Sequence, residues 1–281
     1  MQKSLLVVAA GLAAMLAIAP AAQGRNNRPA YGLTLAGSLV KFDATNPSRA
    51  KRVGRVSGLA SGERLVAIDF RPRTGELVGL GSDANLYSLS TRTATASRKS
   101  SLATMAGGVT LRGERFGIDF NPTVDRLRVV SDGGQNLRVN VDTGITTIDG
   151  ALNYAPGNGN GGLATGISGV AYTNNDGDGA TGTQLFGIDA RLDLLVLQSP
   201  PNAGTLSTVG RLENTGLAVG FDVYSSRDSS RRAVSNTAYV SNRLFTRPTR
   251  LFKVNLANSR RTRVRGGGRL FGRVADIAIR P

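Results

Sequence analysis

The amino-acid sequence predicts an all-β protein: a five-bladed β-propeller of four-stranded repeats, closed by the C-terminal strand joining the N-terminal three. Three observations support this prediction. One segment recurs along the chain, each copy of it contains four short strand patterns, and a fifth copy is divided between the two ends of the chain. A repeat of roughly 50 residues with four strands per unit is typical of propeller blades.

The clearest copy runs from Phe116 to Asp149. Phe116, Ile118 and Phe120 alternate with smaller or polar residues, and a period of two indicates a strand with one buried face. Pro122 has no N–H to donate, so this strand ends there. The remaining strand patterns, separated by Asp- and Gly-containing turns, are Arg126–Val130, Asn136–Val141 and Ile145–Ile148.

The other copies follow by alignment. Asp69 precedes Asp119 by 50 residues, Ala171 follows Asp119 by 52, and Asp222 follows Ala171 by 51. The complete units span about 65–100, 115–150, 167–212 and 219–266. The fifth unit combines about 30–60 with 274–281, so the last strand is expected to pair with the first three and leave no free sheet edge. An open β array or a sandwich is the alternative.

The first 24 residues are predicted to be a secretory signal peptide. Lys3 precedes an apolar run, Leu5–Ala19, which small residues follow and which is short for a membrane span. We therefore expect an exported protein, periplasmic or secreted, with one propeller domain over residues 25–281. An uncleaved anchor is the alternative. No other stretch is apolar enough to span a bilayer, and a monomer is expected.

The composition restricts the chemistry. The chain has no His and no Cys, which excludes Ser-His-Asp and Cys-His catalysis and thiolate or imidazole metal sites. Carboxylates and oxygen-ligated cations remain. No catalytic residue is assigned and no cofactor is required, with Ca²⁺ as the metal to consider.

Aspartates recur on the predicted innermost strands. Asp69, Asp119 and Asp222 occupy equivalent positions, whereas Ala171 and Ala278 fill the other two. Such carboxylates could hold Ca²⁺ near the central channel or raise one another's pKa for acid–base chemistry. Alternatively, each accepts backbone N–H bonds from a neighbouring repeat. Repetition in three units favours this structural role.

Two loops offer weaker candidates. Asp176 and Asp178 lie in a glycine-containing segment that resembles part of a calcium loop, but the closing Glu of an EF-hand is missing. The interpretation as a hairpin connection is favoured. The second loop, 157–162, is rich in Gly and Asn, and Tyr154 and Asn158 beside it are candidate ligand contacts at a propeller rim.

The charge is unevenly distributed. The formal net charge is +16, and residues 226–281 contain 14 basic and 2 acidic residues, a local net charge of 14 − 2 = +12. One interpretation is a docking face for a polyanion such as an anionic lipid surface, a cell-envelope polysaccharide or DNA. The other is an Arg-rich solvated surface. The candidate residues are Arg260, Arg261, Arg263 and Arg265.

The motif FGIDFNP, followed by DRLRVV, resembles an exported bacterial family, domain of unknown function 4394. The resemblance extends from about Gly32 to Pro281 and implies a β-propeller-like exported protein. It implies no activity and no site residues. The Arg-rich C-terminal quarter departs from the family pattern.

Together these features predict an exported, non-enzymatic propeller that acts as a binding or scaffold module for an unknown ligand. The first alternative is a calcium-dependent hydrolase, of the lactonase or phosphoesterase type, that uses the channel carboxylates. The second is a surface protein that docks on polyanions through its Arg-rich face.

Overall fold

Five small sheets form the blades of a propeller in this computed structural model, which describes residues 27–213, 216, 219–242, 248–270 and 272–281. The predicted signal peptide, Met1–Gly24, lies outside these residues. Among the described residues, no helix is long and apolar enough to cross a membrane.

The strands follow the chain from blade to blade. Blade 1 begins with β1 (Pro29–Thr34), β2 (Ser38–Asp43) and β3 (Asn46–Arg55). Blade 2 comprises β4 (Leu65–Phe70), β5 (Leu77–Gly81), β6 (Asn85–Leu89) and β7 (Ala96–Ser101). A small hairpin of β8 (Ala103–Thr104) and β9 (Gly107–Gly108) leads to blade 3, which comprises β10 (Phe116–Asn121), β11 (Arg126–Ser131), β12 (Asn136–Val139) and β13 (Thr146–Ile148).

The second half continues the pattern. The strands β14 (Asn153–Tyr154) and β15 (Gly162–Leu163) precede blade 4, whose main strands are β16 (Ile167–Tyr172), β17 (Leu185–Asp189), β18 (Leu194–Gln198) and β19 (Thr205–Arg211). Blade 5 comprises β20 (Val219–Arg227), β21 (Ala233–Asn242), β22 (Arg250–Val254) and β23 (Arg261–Arg263). The last strand is β24 (Val274–Ile279), and short 3-10 helices cover Gly179–Thr181, Pro201–Ala203 and Arg265–Gly268.

Blade 1 combines the two ends of the chain. Strand β24 pairs antiparallel with β1, with Tyr31 opposite Ala278 and Gly32 opposite Ile277, and the sheet order is β24-β1-β2-β3. The first blade therefore takes its innermost strand from the C-terminus, as the divided repeat predicts.

The innermost strands approach one another closely around the axis. A Cβ added to Gly117 would lie 2.7 Å from the Cα atom of Gly169 in the next blade. A Cβ on Gly220 would lie 2.6 Å from the backbone nitrogen of Ile277. Since real side chains do not tolerate such distances, these glycines permit the tight contact between neighbouring inner strands.

The hydrophobic core is divided into five clusters, one between each pair of neighbouring blades. Leu80 and Phe120, both fully buried, belong to the cluster between blades 2 and 3. Each large apolar side chain buried in this way contributes about 1.5–3 kcal/mol. Packing between sheets, rather than within them, therefore joins the blades.

Blade 4 departs from the four-stranded expectation. Its sheet has six strands, because β14 runs parallel to β19 at its outer edge and β15 pairs with β14. Asn153 lies opposite Thr205 and Tyr154 opposite Leu206. Part of the segment that the sequence presents as a rim loop thus extends a blade.

Candidate functional site

Four aspartates on the inner strands link neighbouring blades. The backbone N–H of Phe120 donates to Asp69 at 3.0 Å, and the N–H of Ile68 donates to Asp276 at 2.8 Å. Asp222 accepts from the backbone of Ile279.

The fourth aspartate, Asp119, accepts a hydrogen bond from the backbone of Tyr172. Each carboxylate therefore reaches from its own inner strand to the next, and together they connect four of the five blade interfaces.

Three of the four carboxylates also accept a hydrogen bond from the following residue of their own strand. Asp222 accepts from the following N–H, that of Val223, at 2.6 Å, and Asp276 accepts from Ile277 at 2.9 Å. Asp69 likewise accepts from the backbone of Phe70. This arrangement is the one expected for aspartates that hold neighbouring repeats together.

The remaining interface, between blades 4 and 5, has Ala171 at the equivalent position and uses a different contact. The side-chain amide of Asn175 donates to the carbonyl of Val223 at 2.9 Å, and its backbone N–H donates to Ser225 at 2.9 Å. A backbone-to-side-chain link is thus retained where the aspartate is missing.

Three of the four carboxylates converge. Asp69, Asp119 and Asp222 each place an oxygen within 4.8 Å of the others, and all three side chains are buried. Burial is the largest cause that raises the pKa of Asp69 and Asp119 well above the usual value, and the neighbouring carboxylates add to it. Burial raises the pKa of Asp222 to about 7 and that of Asp276 to about 8.

The other calcium candidates are engaged within their own loop. Asp176 accepts backbone hydrogen bonds from Asp178 at 2.8 Å and Ala233 at 2.7 Å. Asp178 caps the short helix by accepting from Ala180 at 2.9 Å, and its other oxygen lies 3.1 Å from the guanidinium of Arg232. These contacts are those of a hydrogen-bonded connection between strands.

Tyr154 and Asn158 differ in accessibility. Tyr154 is 4% exposed, and its hydroxyl donates to buried Asp189 at 2.7 Å. Strand β14 turns the Tyr154 ring into the core between blades 3 and 4. Asn158 is half-buried and accepts from Thr208 at 2.8 Å.

The Arg-rich candidates lie at the outer edge of blade 5. Arg260, Arg263 and Arg265 are exposed, whereas Arg261 is half-buried with its guanidinium 4.6 Å from the centre of the Phe252 ring. Burial lowers the pKa of Arg261. Arg243 and Arg247, which belong to the same basic quarter of the sequence, lie outside the described residues.

Blade 1 extends this basic surface. The 3-10 helix Arg265–Gly268 packs against β3, with Gly266 close to Asn46 and Ser48. Strand β3 carries four exposed basic side chains, which are Arg49, Lys51, Arg52 and Arg55. We call the surface formed by these four residues with Arg260, Arg263 and Arg265 the basic edge.

A cavity of about 780 Å³ opens at one end of the channel. The first residues of the inner strands form its floor, and Arg55, Arg64, Glu114 and Arg115 lie at its rim. Arg115 forms an ion pair with Asp132 at 3.0 Å. We call this cavity the channel mouth.

A buried polar network joins blades 3 and 4. The guanidinium of Arg128, 1% exposed, donates to Asn136 at 2.7 Å, to Asp149 at 2.7 Å and to Asn202 at 2.8 Å. Arg138 supplies a second cation to Asp149 at 2.7 Å. These partners compensate for most of the desolvation of the two charges, so the network has a structural role.

Comparison with known protein families establishes the family of this chain. The model of a domain of unknown function, DUF4394, matches residues 38–278. The chain belongs to the DUF4394 family. The matched range includes all of the inner-strand aspartates.

Solved structures show the same fold for this DUF4394 chain. A Bacteroides thetaiotaomicron protein of unknown function aligns with TM-score 0.53 and 14% identity over 86% of this chain and 62% of its own. This chain therefore spans less than two thirds of that protein. A chain of the nidogen/laminin complex aligns with TM-score 0.51 and 13% identity over 91% of this chain and 99% of its own. No curated protein matches the sequence.

The sequence interpretation did not single out the channel mouth. The aligned repeats nevertheless mark one position of this cavity, the position three residues before the recurrent aspartate. The residues at that position are Val66, Phe116, Ser168, Val219 and Ala275. One polar residue among four apolar ones distinguishes blade 4.

Proposed function

We propose that this DUF4394 protein is an exported, non-enzymatic propeller that serves as a binding or scaffold module. The observation that supports this proposal is the engagement of the inner-strand carboxylates. Asp69, Asp222 and Asp276 each accept two backbone N–H bonds, one from the neighbouring blade and one from the following residue of their own strand. A catalytic carboxylate needs an oxygen directed at its substrate, and these oxygens are directed at the backbone.

The calcium-dependent hydrolase remains the alternative with a specific observation in its favour. Oxygens of Asp69, Asp119 and Asp222 lie close enough to share a cation, because Ca²⁺ binds oxygens at about 2.3–2.6 Å. A bound Ca²⁺ would compete with the N–H groups of the neighbouring blade for the same oxygens.

Calcium titration distinguishes the two functions. We expect neither heat of binding by calorimetry nor a shift in melting temperature when Ca²⁺ is added to the purified mature protein, with Mg²⁺ as the matched control. A stoichiometric heat that disappears in Asp119→Asn, together with calcium-dependent cleavage of a lactone or phosphoester, would refute the non-enzymatic proposal.

Export is part of the proposal and is tested separately. We expect the mature protein to begin after one of the small-residue segments Ala19–Ala21 or Ala22–Gly24. Mass spectrometry of the native protein and fractionation of the cells examine this. Recovery of the intact chain from the cytoplasm would contradict it.

The basic edge favours polyanion docking as a second candidate function. The 3-10 helix that contains Arg265 packs against β3, and β3 adds four exposed basic side chains to the three exposed arginines of the C-terminal quarter. We expect replacement of Arg260, Arg263 and Arg265 by Ser to reduce the salt concentration at which the protein elutes from heparin. Equal elution of this variant and of a control with Arg73, Arg92 and Arg126 replaced by Ser would reject docking at this edge.

A further inference from the structure

The floor of the channel mouth is apolar except for one hydroxyl. The five equivalent inner-strand residues all line this cavity, and they are Val66, Phe116, Ser168, Val219 and Ala275. Ser168 is 4% exposed, and its Oγ has no hydrogen-bond partner among the described residues. A buried hydroxyl without a partner is unfavourable by about 1–3 kcal/mol, and such groups in native proteins call for an explanation.

The rim supplies positive charge that is not neutralised. Arg55 and Arg64 are exposed at the rim, and among the described residues neither guanidinium has a carboxylate within ion-pair distance. Arg115 is paired with Asp132. Glu114 is 85% exposed, and its nearest carboxylate oxygen lies 3.8 Å from the guanidinium of Arg115. Arg55 and Arg64 are therefore the rim cations available to a ligand.

The rim cations and the carboxyl groups beyond the floor favour one orientation of a bound anion. Asp69, Asp119 and Asp222 lie three residues further along the inner strands than the floor, which is roughly 10 Å at 3.3 Å per residue. An anionic group placed at the floor would approach these carboxylates, whereas one at the rim would face Arg55 and Arg64. Binding with the anionic group at the rim is therefore favoured.

We propose that the channel mouth binds a small organic anion with an apolar body. Its carboxylate or phosphate group is held by Arg55 and Arg64 at the rim, its apolar body lies against Val66, Phe116 and Val219, and a polar atom near the floor meets the hydroxyl of Ser168. The volume of about 780 Å³ falls within the range of small-molecule sites, roughly 300–1,000 Å³. This inference rests on the proposed binding function and specifies its ligand class.

The test uses four named probes on the intact mature protein. Phenyl phosphate and 4-phenylbutyrate represent the two anionic groups, and benzyl alcohol and 4-phenylbutanol are their neutral counterparts. Dissociation constants come from titration calorimetry and saturation-transfer NMR at neutral pH and low salt. We expect at least one anion to bind about tenfold more tightly than its neutral counterpart, since two charge-assisted contacts hold it.

Variants locate the site. We expect the double variant Arg55→Ser/Arg64→Ser to lose about tenfold in affinity for the anion and little for the alcohol. Ser168→Ala, which reproduces the residue that blade 1 carries as Ala275, should fold normally and should not weaken binding of these probes, because their phenyl ends carry no polar atom to pair with the hydroxyl. The control Arg73→Ser/Arg92→Ser removes the same charge from exposed positions of blade 2 and should leave binding unchanged.

The remaining outcomes of these experiments would overturn either the anion inference or the proposed function. Failure of all four probes to bind, or equal affinities for anion and alcohol, would overturn the anion inference. Undiminished binding by the double variant would also overturn it, because the site would then lie elsewhere, although the binding function would stand. Turnover of phenyl phosphate that requires Ca²⁺ and is lost in Asp119→Asn would instead overturn the proposed function.

Discussion

The stability of this protein should decrease as the pH rises from 5 to 8. Burial raises the pKa of Asp222 to about 7 and that of Asp276 to about 8, whereas both titrate near 3.8 when exposed. Between these values the folded state binds more protons than the unfolded state, so the free energy of unfolding falls with increasing pH. The stabilisation is complete only below about pH 4, decreases steadily through pH 5 to 7, and is largely lost once the pH exceeds the folded-state pKa values of about 7 and 8.

The magnitude follows from the two pKa values. For Asp222 the free energy of unfolding decreases by about 3 kcal/mol between pH 5 and 8, and for Asp276 by about 4 kcal/mol. For a domain of this size each 1 kcal/mol corresponds to roughly 2–4 °C in melting temperature. A decrease of more than about 10 °C is therefore expected.

The amino-acid composition makes a change in stability between pH 5 and 8 easy to assign. The chain has neither His nor Cys, so no other side-chain type ordinarily titrates between pH 5 and 8. Scanning calorimetry and urea denaturation at pH 5, 6, 7 and 8 and constant ionic strength measure the effect. A melting temperature that is constant or rises over this range would refute the reasoning.

Single variants assign the effect to the inner strands. Asp276→Asn cannot ionise, so the share of the pH dependence that comes from Asp276 should disappear. The variant should differ least from the native protein at pH 5, where Asp276 is protonated, and should be the more stable of the two at pH 8. Asp83→Asn removes an exposed carboxylate of blade 2 and should leave the pH dependence unchanged. Equal slopes for Asp276→Asn and Asp83→Asn would place the titrating groups elsewhere.

Three further predictions concern the architecture. Deletion of 274–281 removes β24 and the Asp276 link to blade 2, so thermal unfolding followed by circular dichroism should become broad. A deletion variant that melts as sharply and at the same temperature as the intact protein would contradict closure of the propeller by β24. Arg128→Met removes one of the two cations paired with buried Asp149 and the hydrogen bonds to Asn136 and Asn202. It should lower the free energy of unfolding in urea by about 1–3 kcal/mol, against less than about 0.5 kcal/mol for exposed Arg126→Met. Tyr154→Phe leaves Asp189 without its hydroxyl donor and should lower the free energy of unfolding by about 1–3 kcal/mol. Anion binding at the channel mouth should stay intact, since the two sites share no residue. Weakened anion binding without a loss of stability would contradict this structural role of Tyr154.

Several structural outcomes could be anticipated from local patterns. The alternation of Phe116, Ile118 and Phe120 specifies a half-buried strand wherever the strand lies, and Pro122 ends it. The repeated Asp69, Asp119 and Asp222 pointed to a role common to all repeats, and their inter-blade hydrogen bonds agree with that role.

Other outcomes needed the assembled blades. Asp276 sits two residues before the recurrent position, and its bond to Ile68 becomes evident only when β24 lies beside β4. Tyr154 is polar at one end and precedes a glycine-rich loop, so its sequence context resembles that of a rim residue. Its burial depends on the parallel pairing of β14 with β19, a contact between segments about 50 residues apart.

The sequence by itself determined the strand content, the number of repeats, the division of one repeat between the chain ends and the family, because each of these depends on patterns within a few residues or on the repetition of such patterns. Only the tertiary structure decided which side chains from different blades meet. It joined β3 to the last blade in the basic edge, brought Arg55, Arg64 and Ser168 to one cavity, and gathered three carboxylates near the axis. Those meetings depend on how twisted sheets pack around a ring, and side chains distant in sequence acquire common neighbours only when that packing is complete.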